Sequence, residues 1–140
     1  MYIGTIMHTD LVTVPPDTTL VEARELIESK GIDHLLVVNR KGRLVGIVSG
    51  RDLSQNWASP ATALSAHELN YLLDKVQVQM IMVKTVVTVA PDTTIERAAY
   101  IMQTHNISSL PVMADNELVG IVTSTDVMAV LLQAIGMSDD

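Results

Sequence analysis

Apolar and polar positions along this chain fall into one pattern that is written twice. VTVPPDTTL at Val12–Leu20 returns as VTVAPDTTI at Val87–Ile95, 75 residues later. The same spacing carries Ile6-Met7 onto Ile81-Met82, Ala23 onto Ala98, Ile32 onto Ile107 and Val37 onto Val112. Beyond the next turn the spacing drops to 74, as LVGIVSGRD at Leu44–Asp52 returns as LVGIVTSTD at Leu118–Asp126. One residue is therefore lost near Gly42, at a hairpin tip, where a deletion costs least. The chain reads as a tandem repeat with a connecting segment.

Each copy predicts the same elements. A short β-branched stretch comes first, Val12-Thr13-Val14 and Val86–Val89, and Pro-Asp-Thr-Thr ends it. Asp or Thr there can accept from the free N–H groups of a new helix. Thr19…Glu22 and Thr93…Glu96 have capping-box spacing, one position apart in register. Leu20, Ala23 and Ile27, then Ile95, Ala98, Ala99 and Met102, form one buried helical stripe per copy. Gly31 and Asn106 end these helices, as residues tolerant of left-handed backbone do. Strands follow at Leu35–Val38 and Leu110–Met113, the turns NRKGR and ADNE, and strands at Leu44–Val48 and Leu118–Val122. Final helices begin near Asp52 and Asp126. Each repeat thus reads β-α-β-β-α, an α/β (α+β) fold class.

Between the repeats, Ser59-Pro60 marks a break. Ser65-Ala66-His67-Glu68 has capping-box spacing, and Leu69, Leu72, Leu73 and Val76 give an extra helix an apolar stripe. That helix either bridges the repeats and covers their core or serves a contact with another chain. The expected organisation is repeat 1 over 1–53, a helical linker over 54–76 and repeat 2 over 77–140.

Composition narrows the function classes. Of the 140 residues, 48% are hydrophobic, enough for a core without staples. There is no cysteine, which removes disulfides and thiolate sites and fits a reducing, cytoplasmic setting. No apolar run reaches the roughly 18–20 residues of a membrane span, and the N-terminus lacks the form of a signal peptide. Nine basic against sixteen acidic residues give a net charge of -7, so a nucleic-acid surface is not expected. Arg40, Lys41 and Arg43 form the local basic cluster, at a hairpin tip. Stacking platforms for nucleobase strands are missing, with no Phe and one Trp.

Catalytic and metal motifs are not found. There is no Gly-rich phosphate loop, no Gly-x-Ser-x-Gly elbow and no His spaced for zinc, because Tyr71 stands four residues beyond His67. His8, His34, His67 and His105 read as surface or partly buried histidines. The chemistry that remains is the repeated corner. Asp52 and Asp126 each stand where a strand becomes a helix, with Ser49 and Thr123 three residues earlier. These residues can simply cap the helix, worth about 1 kcal/mol. A carboxylate there can also accept both hydroxyls of a ribose. Thr123 and Thr125, or Ser49 and Arg51, can reach phosphate at the helix N-terminus. Ile47 and Ile121 can flank a base.

On these residues the chain resembles a pair of CBS domains, the cystathionine-β-synthase repeat, over nearly its whole length. The resemblance rests on Ile-Met near each start, PDTTL and PDTTI, ISSLPV at Ile107–Val112, and the GIVSGRD and GIVTSTD corners. The inter-repeat LSAHELNYLLDKV further resembles the CBS pairs of acetoin-utilisation B-type proteins, with the expectation that the ACT domain usual there is lacking. The resemblance implies two repeats related by pseudo-twofold symmetry, with two clefts for AMP, ADP, ATP or S-adenosylmethionine. No cofactor is required, the adenosine-containing molecule being a regulatory ligand. Each cleft would join the corner of one repeat to the early strand and post-helix segment of the other. The Asp126 cleft would use Ile121, Thr123, Thr125 and Asp126 with Val12, Ile32, Asp33 and His34. The Asp52 cleft would use Ile47, Ser49, Arg51 and Asp52 with Val87, Ile107, Ser108 and Ser109. Asp33 would favour a less anionic ligand in the first, and Arg51 a phosphate-rich one in the second. Leu36 stands where the second repeat has Pro111, so the bends are expected to differ. The resemblance also implies a homodimer, with Val127–Ile135 as the contact helix, and an unidentified target protein. The expected function is a non-enzymatic regulatory module; the alternative is a ligand-free dimerisation scaffold.

Overall fold

The computed structural model describes residues 1–61 and 65–137. Its elements are α1 (Ile3–Ile6), β1 (Thr13–Val14), α2 (Leu20–Lys30), β2 (His34–Val38), β3 (Leu44–Ser49), α3 (Gly50–Ala61), α4 (Ala66–Leu73), α5 (Ile95–His105), β4 (Ser109–Ala114), β5 (Glu117–Thr123) and α6 (Ser124–Ala134), with a 3-10 turn at Val78–Met80 between α4 and α5. The mixed α/β class expected from the pattern is the class observed. The chain divides into two compact units, one over Val12–Val86, the other over Met1–Leu11 with Val87–Asp140. Sequence repeat and compact unit are therefore different partitions of the chain.

In the Val12–Val86 unit, β1 runs parallel to β2 and β2 antiparallel to β3. Leu20 and Ala23 of α2, Leu35 and Val37 of β2, and Val48 of β3 are buried together with Val78. Leu73 of α4 joins this core and Leu69 and Val76 pack against it, while Leu72 stays exposed. The extra helix thus covers the core of this unit. Segment 76–83 closes the unit from outside the first repeat. Leu20 N–H donates to Val76 O at 2.9 Å, Val78 N–H to Thr18 O at 2.7 Å and Gln79 N–H to Pro16 O at 3.1 Å.

The second unit repeats the plan with the chain's first residues in place of 76–83. Ile95 N–H donates to Met1 O at 3.1 Å, Ile3 N–H to Thr93 O at 2.8 Å and Gly4 N–H to Pro91 O at 2.8 Å. Ile3 lies fully buried among Ile95, Ala98, Leu110, Val112 and Val122. Each Ile-Met pair then crosses a strand. Met7 lies over Gly120, and Met82 lies over Gly46, so closely that a Cβ on either glycine would stand under 3 Å from the methionine sulfur. The glycine of each GIV corner is thus where a methionine side chain is seated.

Local details depart from the sequence reading in three places. Val86–Val89 does not form a strand; Val89 alone pairs with Val112 in a parallel bridge. The cause lies in the Leu36/Pro111 difference. Leu36 N–H donates to Val12 O at 3.3 Å and gives β1 its second rung, whereas Pro111 has no N–H to offer the matching carbonyl. The second helix is capped by Thr94, whose side chain accepts from Arg97 N–H, and not by Thr93. Thr93 Oγ1 accepts from Ala90 N–H at 3.1 Å inside the preceding turn. Both caps therefore keep the 75-residue register, but the second has Arg97 where the first has the reciprocating Glu22. Helix α3 passes through Ser59-Pro60 and ends at Ala61, so the proline lies within its last turn rather than before it. The residue lost near Gly42 separates two hairpins. Arg40–Gly42, with Gly42 at φ 77°, spans a three-residue loop, whereas Asp115 and Asn116, at φ 52° and 65°, form a two-residue turn.

Candidate ligand-binding corners

At the end of β3 the chain turns straight into α3. Ser49 Oγ accepts from Asp52 N–H at 3.0 Å, and Asp52 Oδ2 accepts from Ser49 N–H at 2.9 Å. At the end of β5, Thr123 Oγ1 accepts from Asp126 N–H at 3.3 Å, and Asp126 Oδ2 accepts from Thr123 N–H at 2.8 Å and from its hydroxyl at 2.9 Å. Each aspartate is thus the third helical residue of a reciprocal cap, in the spacing that Ser or Thr and a carboxylate require. Capping fixes each carboxylate through one oxygen and leaves the other for a second partner.

The post-helix segments close round these corners within each unit. Gly50 N–H donates to Asp33 O at 2.9 Å, and Ser124 N–H donates to Ser108 O at 2.8 Å. His34 pairs with Ser49 across β2 and β3, and Ser109 with Thr123 across β4 and β5. Ile47 forms an antiparallel bridge with Val83, and Ile121 one with His8. Val12 and Ile32 pack on one core, Val87 and Ile107 on the other. Asp33, Arg51, Ser108 and Thr125 are exposed; His34, Ser49, Asp52, Thr123 and Asp126 are half-buried, and Ser109 is buried. Of the expected ligand residues, the Val12–Val86 unit therefore gathers Val12, Ile32, Asp33, His34, Ile47, Ser49, Arg51 and Asp52. The other unit gathers Val87, Ile107, Ser108, Ser109, Ile121, Thr123, Thr125 and Asp126.

The corners differ electrostatically. His8 Nε2–H donates to Asp126 Oδ1 at 2.8 Å, a contact from the chain's opening segment that spacing in the sequence does not bring together. The one signal for it is register, because His8 and Val83 occupy the same position of the two repeats. Val83 has nothing to donate, and Asp52 Oδ1 has no hydrogen bond among the described residues. Burial pushes the Asp126 carboxyl up, but the hydrogen bonds from His8 and Thr123 outweigh it and hold the group below its ordinary value. Burial takes His34 below its ordinary value; the negative charges of Asp33 and Asp52 oppose this without reversing it. Among the described residues no three His, Asp or Glu side chains gather as a metal site, and no helix is long and apolar enough to cross a membrane.

Two strand-to-helix corners, each closed by a reciprocal Ser/Thr–Asp cap in its own small α/β unit, define a duplicated scaffold with a fixed carboxylate in each half. The chain belongs to the CBS domain family, which it matches over residues 3–58 and 78–133. It is similar to the CBS domain pair of protein MJ0100, solved in complex with 5′-methylthioadenosine and S-adenosyl-L-methionine. The TM-score is 0.82 at 27% identity, covering 96% of this chain and 98% of that one. CBSX2 in complex with AMP follows at TM-score 0.76 and 29% identity, covering 96% and 98%. The acetoin utilization protein AcuB of Vibrio cholerae gives TM-score 0.76 at 30% identity, covering 96% and 93%. Among curated relatives, the homoserine O-acetyltransferase of Methanohalobium evestigatum is 35% identical over 127 residues, which is 90% of this chain but 23% of that protein. The chain spans about a quarter of the length of such relatives.

Proposed function

We propose that this chain is a non-enzymatic regulatory module that binds adenosine-containing ligands at its two aspartate corners and passes their level to a partner protein. The observation that carries this reading is the duplicated corner itself. Asp52 and Asp126 are each pinned through one oxygen by the helix cap, in a fold similar to pairs solved with S-adenosyl-L-methionine and with AMP. A pinned carboxylate loses little freedom when it accepts the two hydroxyls of a ribose. Arg51, exposed in the first turn of α3, offers the charge a phosphate needs, and Thr125 at the matching place offers a hydroxyl. The Asp52 corner therefore takes the more anionic ligand and the Asp126 corner a less anionic one. Ligand acts by shifting population between arrangements that a target protein distinguishes. The module works in the cytoplasm as a homodimer. Support for the dimer comes from α6, where Val127 and Val130 already serve the core while Met128, Leu131, Leu132 and the following Ile135 stay exposed.

The test is thermal shift with calorimetry over AMP, ADP, ATP, S-adenosylmethionine and NADH. A native-state ligand at 100 times its Kd adds about 2.7 kcal/mol of stability. At least one adenosine compound is expected to raise the Tm; none doing so at millimolar concentration overturns the proposal. The rival reading, a scaffold whose aspartates only cap helices, has the observed reciprocal caps in its favour. Asp52→Asn with Asp126→Asn separates the two, because Asn still caps well but loses the carboxylate a diol needs. Ligand response lost with the fold kept supports binding; stability and response both unchanged support the scaffold.

A further inference from the structure

We propose that the tip of the β2–β3 hairpin, with Arg40, Lys41 and Arg43, is a docking point for an acidic segment of a partner protein. The target protein of the regulatory reading, on which this proposal rests, is thereby given a chemistry. The three cations stand within four residues, all exposed, and none has an ion pair among the described residues. The turn does not use their side chains. Asn39 Oδ1 accepts from Lys41 N–H and from Arg43 N–H at 3.0 Å each. Asn39 N–H donates to Arg43 O at 2.9 Å, and Gly42 N–H to Asn39 O at 3.0 Å. Asn39 and the left-handed Gly42, at φ 77°, thus brace the loop and leave the cationic side chains to solvent. The matching tip of the other unit turns through Asp115 and Asn116 into Glu117, all three exposed. The fold therefore sets no requirement for positive charge at this place.

Placement separates the tip from the ligand corner. His34 and Ser49 pair at the corner end of the ladder, Val38 and Leu44 at the tip end. The steps along β3 from Leu44 to Ser49 put about 17 Å between the two ends, beyond the roughly 8 Å over which exposed charges act at physiological salt. The tip cations therefore do not serve a phosphate at Asp52. Elsewhere the chain has six basic against sixteen acidic residues, so its field repels anionic molecules except here. The chemistry of the tip then selects among anions. A nucleic acid needs cations along a whole face and rings on which bases stack, whereas residues 39–43 offer three cations and no ring. An anionic lipid surface needs a longer run of cations or an apolar side chain to insert, and the loop has neither. Separate carboxylates on an extended chain suit three closely spaced cations, and each Arg takes a carboxylate through both arms of its guanidinium. Such a contact contributes encounter rate and orientation more than affinity.

The experiment uses the full chain with a fluorescein-labelled oligoglutamate peptide as the acidic probe, read by anisotropy at low and at physiological salt. The tip variant carries Arg40→Gln, Lys41→Gln and Arg43→Gln, which leave the backbone bonds of the turn in place. A second variant carries Lys30→Gln, Lys75→Gln and Lys84→Gln, three scattered exposed cations, and so has the same net charge. At low salt the tip variant should bind oligoglutamate about five- to fiftyfold more weakly than the unmodified chain, the worth of three exposed ion pairs. Arg40→Gln by itself should weaken binding about two- to fourfold. Physiological salt should shrink both differences, and the scattered variant, which keeps the cluster, should stay within about twofold of the unmodified chain. Equal losses in the two triple variants, no loss in either, or no oligoglutamate binding by the unmodified chain overturns the proposal. So does tighter binding of oligothymidylate or of phosphatidylserine–phosphatidylcholine vesicles, or tip-dependent self-association in sedimentation, each of which names another occupant. The thermal shift with adenosine compounds is run on the same chains. A tip variant that keeps the ligand response while losing oligoglutamate supports both readings. Oligoglutamate binding without any ligand response overturns the regulatory reading and leaves the docking tip, and ligand response without oligoglutamate binding does the reverse.

Discussion

Asp126 carries two loads at the scale of a single residue: it caps α6 and holds His8. Its depressed carboxyl has a defined consequence for acid stability. A carboxyl ionised more readily when folded than when unfolded stabilises the protein fully above the unfolded value, about 3.9, and loses that contribution as pH falls through the folded value. Urea midpoints at pH 7 and pH 3 should therefore differ less for Asp126→Asn than for the unmodified chain. His34 adds a second slope at milder pH. Burial disfavours its charged form, so its contribution is complete above the unfolded value, about 6.5, and fades as pH falls from there toward the folded value. His34→Gln should flatten the Tm profile between pH 7 and pH 5. Thr123→Ala removes the N-cap of α6 and should cost about 1 kcal/mol in urea denaturation at pH 7. The aspartates and their Ser/Thr partners were legible in the sequence because a cap is a local motif. His8 was not, because its partner stands 118 residues away and imidazole has no spacing rule to betray it.

Single elements show what repetition constrains and what it leaves free. Hairpins, helix stripes and left-handed stops at Gly31 and Asn106 follow local chemistry, and both copies form them where the pattern places them. The opening strand does not, since it depends on a donor across the sheet that Leu36 has and Pro111 lacks. Its loss was written in the sequence as one substitution whose effect lies on a neighbouring strand. In hydrogen exchange the Leu36 amide should be protected through its bond to Val12. The methionine seats are tighter constraints. Gly46→Ala sets a Cβ against the Met82 side chain, and Gly120→Ala sets one against both the Met7 sulfur and the His8 carbonyl. Each should cost about 1–3 kcal/mol, as overpacking does. Met82→Ala should recover part of the Gly46→Ala loss in a double-mutant cycle. Backbone in the way makes rescue of Gly120→Ala by Met7→Ala smaller.

Over the whole molecule, the folded parts keep the 75-residue period of the sequence but begin eleven residues into it, at Val12 and Val87. A fragment of residues 12–86 contains one complete unit, whereas residues 1–76 contain one sequence repeat and its linker but lack Val78 and Met82. The first should melt cooperatively by circular dichroism and by the fluorescence of Trp57, the one tryptophan of the chain. The second should not. Sequence comparison of the repeats cannot reveal this, because opening segments that match each other look at home in their own copies.

The methionine crossing over each corner glycine has a consequence for descent by duplication. What was copied as one stretch of gene is not what closes as one body. The opening residues of either copy find their seat in the other. A lone copy has a donor segment and an acceptor glycine of its own kind, and two such molecules satisfy both by trading ends. Within one chain the trade is permanent, and the two matching positions carry different side chains, histidine at 8 and valine at 83.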